Sequence, residues 1–321
     1  MGTVIISLDS ELAWGFHDQK DLPQQRIDNA RDAWSRIVDL FESYDIPATW
    51  AVVGHLFLDE CDGEHLDHPT PDGWFDRDPS GTINDNPDWF GTDLVAKLLE
   101  SDVEHEIGSH SFSHVEFGSE RTTREIAAGE LSASRDAMAR WDCRPSSFVY
   151  PRNNVGYVDM LQEFGFFCYR GTQPPNSEGG LLPLPLQRLL RLGFGRTAPP
   201  IVTPKVTADG VVNIPASFYL YTFENEQGAV SKRVIQALSQ LAFRFLPYNP
   251  HLRQVRLGLE EVASKPNSVF HIWLHPNNVI SDEDANRLET VLEQIDMYRE
   301  ERDVAVKTMG EIAAEELACH E

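Results

Sequence analysis

Apolar residues follow two alternating rhythms along this chain. Val4, Ile5, Ile6 and Leu8 make a continuous apolar run of the kind found in strands covered on both faces. The next stretch spaces Ile27, Ala30, Trp34, Ile37, Val38, Leu40 and Phe41 at helical intervals, with Asp28 as an acidic start. A second buried strand reads from Ala48 to Val53. Beyond it the pattern predicts a helix near 92–101, a strand "HEIGSH", a helix from Thr122 to Trp141 and a strand "SSFVYPRN". A helix over 156–164 and a strand "FFCYRGT" follow. The last third gives helices near 229–246 and 252–264, a strand "SVFHIWLHPNN", a helix from Asp282 to Arg299, and "VAVKTMGEIAAEEL" as a strand entering a terminal helix. Alternating strands and helices with buried strands imply a parallel sheet flanked by helices, open or closed into a barrel.

Two stretches break the rhythm. Residues 59–91 are acidic, rich in Gly, Pro and Asp, and carry Trp74, Phe75, Trp89 and Phe90. Long loops inside compact domains are usually functional, so these aromatics are expected to stack on a ligand, close as a lid, or form a small core of their own. Residues 174–227 are irregular, with one apolar strand, "VVNIPASFYL". The expectation is one domain over 1–321 carrying both inserts.

Charge narrows the partners. The 27 basic and 51 acidic residues leave a formal charge of −24, and only six of the 321 residues are lysines. That surface suits high salt, where repulsion is screened, and points to a halophilic source. It argues against nucleic acid or an anionic membrane, which need clustered Lys and Arg. No stretch approaches the roughly 18 apolar residues of a membrane span. "LPLPLQRLLRLGFG" (182–195) reads as a loop or surface helix. Met1 runs directly into the first strand without a leader pattern, so a cytoplasmic protein is expected. Cys61, Cys143, Cys168 and Cys319 show no CxxC spacing and are expected to be free thiols.

The polar residues that interrupt the apolar runs share one location. Asp9, His110, Arg152 (after Pro151) and His275 all fall at C-terminal strand ends, the edge where α/β barrels carry their active sites. His110 and His114 in "GSHSFSH" are four apart, so on a turn opening a helix they would lie about 5–6 Å apart on one face. Such a pair suits one divalent ion and leaves a third, anionic ligand to be found elsewhere.

"ISLDSE", "HSFSH", "VYPRN" and "WLH", in this order, resemble the motifs of NodB-homology polysaccharide deacetylases, carbohydrate esterase family 4. The resemblance runs from residue 4 to about 312. It implies a distorted (β/α)7 barrel and a divalent metal, usually zinc (Zn2+), held by one carboxylate and two histidines. It also implies hydrolysis of N-acetyl groups from amino sugars, hence an N-acetylated sugar or glycan as substrate. The first motif departs from the family's two adjacent aspartates: Asp9 is followed by Ser10, then Glu11. Residues i and i+2 of a strand share a face, so both acids could approach one ion. The resemblance, in which the first acid is the base and the second a ligand, implies Asp9 as base and Glu11 as third ligand with His110 and His114, Asp9 being free to ligate too. The third motif also departs, with Arg152 after the proline. Arg152 either orients Asp9 by a charge-assisted bond or sits in a surface ion pair, and backbone N–H groups of its turn are candidate oxyanion donors. His275 fits a general acid. Tyr150 and His271 are read as core, His17 and Asp18 at the mouth, and His55, His105 and His251 as structural or exposed. Two rivals stand beside this reading: a metal-independent, allantoinase-like amide hydrolase on the same fold, and a glycan-binding protein with a degenerate site.

Overall fold

A computed structural model describes residues 1–174, 197–221 and 248–319 of the chain. The segment 182–195 and the helix expected over 229–246 lie outside the described residues. β1 (Thr3–Ser10) is buried from end to end. Its odd and even residues serve different layers. Val4, Ile6 and Leu8 pack outward, against the helices, in one core with Trp34, Phe41 and Trp50. Ile5 points into the barrel, in a second core with Ala51, Val149, Cys168, Ile214 and Val269. Ser7 and Asp9 continue that inward face, so the interior changes from apolar to polar toward the C-terminal end of the strand.

The remaining parallel strands are β2 (Thr49–Val52), β5 (Glu106–Ser109), β6 (Ser147–Val149), β7 (Cys168–Gly171), β9 (Val212–Pro215), β10 (Phe218–Tyr219) and β11 (Val269–Leu274). β3 (Glu60–Cys61) and β4 (Gly81–Thr82) form a separate antiparallel pair within the insert, and β8 (Lys205–Val206) adds to β9. The hydrogen-bonded order is β10-β11-β1-β2-β5-β6-β7-β9-β8, and β12 (Ala305–Val306) pairs with the start of β1. β9 and β10 lie on one continuous segment that changes neighbours. Ala216 N–H donates to the Gly171 carbonyl at 2.9 Å, extending the β7 pairing, and Ser217 N–H donates to His271 at 2.8 Å, opening the β11 pairing. That segment closes the sheet into a distorted (β/α)7 barrel.

Helices cover the outside: α1 (Gln24–Ser43), α2 (Thr92–Leu99), α3 (Arg124–Ala139), α4 (Val158–Leu161), α5 (Pro250–Ala263), α6 (Asp282–Arg302) and α7 (Met309–Ala318). α1 begins a turn earlier than Asp28, directly after Pro23, whose fixed φ of −77° suits a helix entry. Side-chain caps begin three others: Thr123 on α3, Asn249 on α5 and Ser281 on α6, each accepting a backbone N–H of the first turn. The Thr308/Glu311 capping box starts α7, which closes the barrel floor with Met309 and Ile312. Among the described residues no helix is long and apolar enough to cross a membrane.

Candidate active site

Register sets the site before any side chain is considered. Leu8 lies opposite Leu274, so Asp9 and His275 leave the neighbouring strands β1 and β11 at one level. Asp9 faces Ala51 on β2, and Val52 faces Ser109 on β5, so His110 emerges beside them. The His110 N–H bonds back to the Val52 carbonyl at 3.0 Å. A cavity of about 310 Å³ opens over these strand ends, lined by Asp9, Glu11, His114, Arg152, Trp273 and His275 among others.

Asp9 is buried and bound at both oxygens by the Arg170 guanidinium, at 2.5 and 2.6 Å. Arg170 is itself fully buried on the inward face of β7. It also reaches Ser7 Oγ (3.1 Å) and Asn153 Oδ1 (3.0 Å), with Trp273 4.4 Å beneath its guanidinium. Burial alone would push the Asp9 carboxyl up, but the Arg170 charge holds it below its ordinary value. Buried His271 bonds Ser7 Oγ at 2.9 Å, and burial pushes its imidazole down to about 3. It is a neutral core group.

Arg152 does not reach Asp9. It sits at a φ of 54° in the Pro151–Asn153 turn and pairs with Asp18 (2.5 Å) and Glu116 (3.2 Å) at the rim. Of the two readings of Arg152, its contacts are those of the surface ion pair, and the guanidinium on Asp9 comes from the next strand. In the same turn the N–H groups of Asn153 and Asn154 already donate to the Tyr150 and Pro151 carbonyls, at 2.9 and 3.0 Å. Pro151 has no N–H, which leaves only that of Arg152 as an oxyanion donor.

Glu11 is buried just beyond β1. Its Oε2 lies 3.1 Å from His114 Nε2 and 3.5 Å from His110 Nε2, and its Oε1 accepts from Asn277 Nδ2 at 3.2 Å. Glu11, His110 and His114 each offer one donor atom, all within 4.8 Å of one another. A divalent ion is what the family resemblance implies, and the donors fit it. His110 Nδ1 donates to the Val149 carbonyl at 2.8 Å, so in the neutral ring Nε2 carries the lone pair. That buried nitrogen has no hydrogen-bond partner. It faces the Glu11 carboxylate, and Asp9 Oδ2 stands 4.0 Å away. Acceptors facing each other across a buried gap call for a cation between them. His275 Nε2 lies 3.7 Å from both Asp9 and Glu11, and its Nδ1 is 3.3 Å from the Tyr219 hydroxyl. Burial pushes the His275 imidazole down, and Glu11 and Asp9 work against that shift.

The "HSFSH" segment is a loop and not the opening turn of a helix. Ser111 and His114 take left-handed backbone conformations, φ 61° and 66°, and bring the two imidazole centroids to 5.1 Å. Leu12, Arg152 and Asn153, in adjoining strand-end loops, are also left-handed. Each such residue costs about 1 kcal/mol or more, so neighbouring contacts must enforce it. Glu130 on α3 does so for "HSFSH". Its buried carboxylate accepts the Phe112 and Ser113 N–H groups (3.0 and 2.8 Å), Ser113 Oγ (2.6 Å) and His68 Nε2 (2.8 Å).

Phe75 and Trp89 of the 59–91 insert pack against the main core, and none of the insert's four aromatics lines the cavity. Phe75 and Trp89 stand edge-on to Trp14, whose indole N–H donates to the Trp89 carbonyl. Trp74 N–H bonds Ser113, and Phe90 is fully buried.

Residues 20–160 match the polysaccharide deacetylase family model. The match includes His110 and His114 and begins after Asp9 and Glu11. No curated protein matches the chain by sequence. Among solved structures, a candidate polysaccharide deacetylase from Mycobacterium smegmatis superposes with a TM-score of 0.62 at 15% identity, over 99% of this chain and 91% of that one. A candidate polysaccharide deacetylase from Pseudomonas aeruginosa PAO1 gives 0.54 at 15%, over 97% and 89%. PuuE allantoinase gives 0.52 at 15%, over 99% and 90%. At such identities these likenesses establish the fold, a NodB-type barrel. Within that fold, residues 20–160 are similar to the polysaccharide deacetylases.

Proposed function

We propose that the protein is a metal-dependent hydrolase that removes N-acetyl groups from an amino sugar or glycan. The observation that carries this reading is the unpartnered His110 Nε2 facing Glu11, beside a carboxylate that Arg170 keeps charged. Glu11, His110 and His114 would hold the ion. A divalent ion there supplies Lewis-acid chemistry, polarising a carbonyl and acidifying water. Arg170 occupies one lone pair on each Asp9 oxygen and leaves others open, so Asp9 can take the proton of an attacking water. As the C–N bond of the acetamide breaks, His275 gives a proton to the departing amine, and acetate and a free amino sugar result. Phe16 and Trp273 supply apolar wall for a sugar ring.

Acetate release from a panel of N-acetylglucosamine oligomers, with and without chelator, tests the reading. Chelation should abolish turnover and added Zn2+ should restore it. His110→Ala and Glu11→Ala should each lose one equivalent of metal. Asp9→Asn should keep metal and lose turnover by about 10²-fold or more. Loss of metal in Asp9→Asn would make Asp9 a ligand as well. Turnover indifferent to chelator would favour the allantoinase-like alternative, and glycan binding without acetate release the binding protein.

A further inference from the structure

The insert that leaves the barrel after β2 holds a second cluster of ligand-type side chains, separate from the cavity above. His55 sits in the single turn that follows β2, Cys61 on β3, and His65 and Asp78 in the loops beyond. Each offers one donor atom, and the four atoms lie within 4.8 Å of one another. Cys61 Sγ is 3.2 Å from His65 Nε2 and 3.5 Å from Asp78 Oδ2, and His55 Nε2 is 3.3 Å from the same oxygen. A tetrahedron of zinc ligands has edges of roughly 3.3–3.7 Å, given metal–ligand bonds of about 2.0–2.3 Å. Those three separations fall at or near that range. The fourth, His65 Nε2 to Asp78 Oδ2 at 2.6 Å, is a hydrogen bond that an ion would replace.

His55 gives the independent sign of a missing ligand. Its side chain is 0% exposed, and neither ring nitrogen makes a hydrogen bond of acceptable geometry. A buried imidazole is rarely left so, because the unmade bond costs about 1–3 kcal/mol. Backbone bonds fix its place: Gly54 and His55 N–H groups donate to the Ser111 and Phe112 carbonyls at 2.8 and 2.9 Å. Asp78 Oδ1 accepts the Ser80 N–H at 3.0 Å, which turns Oδ2 toward the cluster. Trp14 (4.4 Å from the His55 ring) and Phe75 (stacked on His65 at 3.8 Å) wall the site with apolar surface. On the other side a cavity of about 740 Å³, lined by Cys61, His65, Glu60 and Asp62, gives an ion a way in.

We propose that His55, Cys61, His65 and Asp78 form a structural metal site for a divalent cation of the zinc class. A thiolate with two imidazoles and a carboxylate favours Zn2+ over the hard ions Mg2+ and Ca2+. Four protein ligands leave no open position, so the ion fastens the insert to the end of β2 and does no chemistry. Trp14, three residues after Glu11, packs on this cluster, so the clip also steadies one wall of the candidate active site.

Cobalt substitution separates this site from the first, which contains no sulfur. Full-length protein stripped by chelator is titrated with Co2+, and the thiolate-to-cobalt charge-transfer band is followed in the near ultraviolet. The band should disappear when Zn2+ is added, vanish in Cys61→Ser, and persist in His110→Ala, where the first site is removed and the band should saturate at one equivalent. Asp78→Asn, which keeps the thiol, should weaken Co2+ binding by about tenfold or more. A wild-type protein without the band at saturating Co2+ would overturn the proposal, and this needs no variant to fold. So would a band that survives in Cys61→Ser, since another cysteine would then be its source.

Discussion

Gly15 decides where Glu11 can sit. A Cβ on Gly15 would stand 2.1 Å from Glu11 Oε1 and 2.2 Å from its carboxyl carbon, closer than real atoms approach. Gly15→Ala should therefore push the Glu11 carboxylate off the two histidines while the fold survives. Metal affinity of the His110/His114 site should fall by about tenfold or more, as for a misplaced ligand. Calorimetric titration of the Cys61→Ser background with Zn2+ measures it, and an unchanged Kd would show that Glu11 is not a ligand. The same scale shows what a sequence conceals. Asp9, His110 and His275 were legible because each ends an apolar run. Arg170 falls at the end of the run "FFCYRGT" by the same rule, and Arg152, one strand earlier in the chain, offers the same charge. Only the strand's two-residue period, which puts Arg170 inward with Cys168, separates the two. His55 likewise follows an apolar strand, but Cys61 lies on a two-residue strand and His65 and Asp78 in loops, so no periodicity brings them together.

At the scale of elements, α3 carries more than its own packing. Its inward stripe reads Ile126, Glu130, Ser134 and Met138 at four-residue intervals, all buried. A carboxylate within an apolar stripe is a sequence sign of a buried network, since burial without partners is costly. Its purpose was not readable, because the N–H groups it holds belong to a loop whose left-handed turns leave no pattern. Glu130→Gln offers two amide hydrogens where N–H groups now point. It should lower unfolding free energy by about 2–4 kcal/mol, the range for a buried charged network losing one member. It should also loosen His114 and weaken metal binding at the proposed Glu11/His110/His114 site. Urea unfolding at neutral pH reads the first effect; a loss under about 0.5 kcal/mol would mean that the loop holds its shape without Glu130. The insert, whose sequence suggested stacking or a lid as readily as a core, turns out to brace this same loop through His68 and Trp74.

For the whole molecule, buried His271 and half-buried His105 set an acid limit. Burial holds His271 down to about 3 and His105 down to about 4, both from an ordinary 6.5. Both stay neutral in the fold at pH 5, whereas the unfolded chain protonates them below about 6.5. The unfolded state then binds more protons, so stability falls as pH drops from 6.5 toward 4 and is indifferent to these groups above 6.5. The slope should be on the order of 1 kcal/mol per pH unit for each histidine. Urea midpoints between pH 7.5 and 5 measure it, above the range where carboxylates such as Glu130 begin to protonate. His105→Gln should flatten the slope; an unaltered slope would place its origin elsewhere.

The closing segment of the barrel has a consequence for how the chain reaches this state. β1 finds one neighbour in β2 nearby, but its other edge waits for β11, with Ser7 and His271 264 positions apart. Such remote pairings are entropically expensive and slow to form. Until β11 arrives, a strand of Val, Ile and Leu has one edge unsatisfied, a template for pairing with another chain. During synthesis that exposure lasts until some two hundred and seventy residues have emerged. Asp9 at the end of β1 and His275 beyond β11 meet only when this seam is joined, so the pocket is completed late in folding.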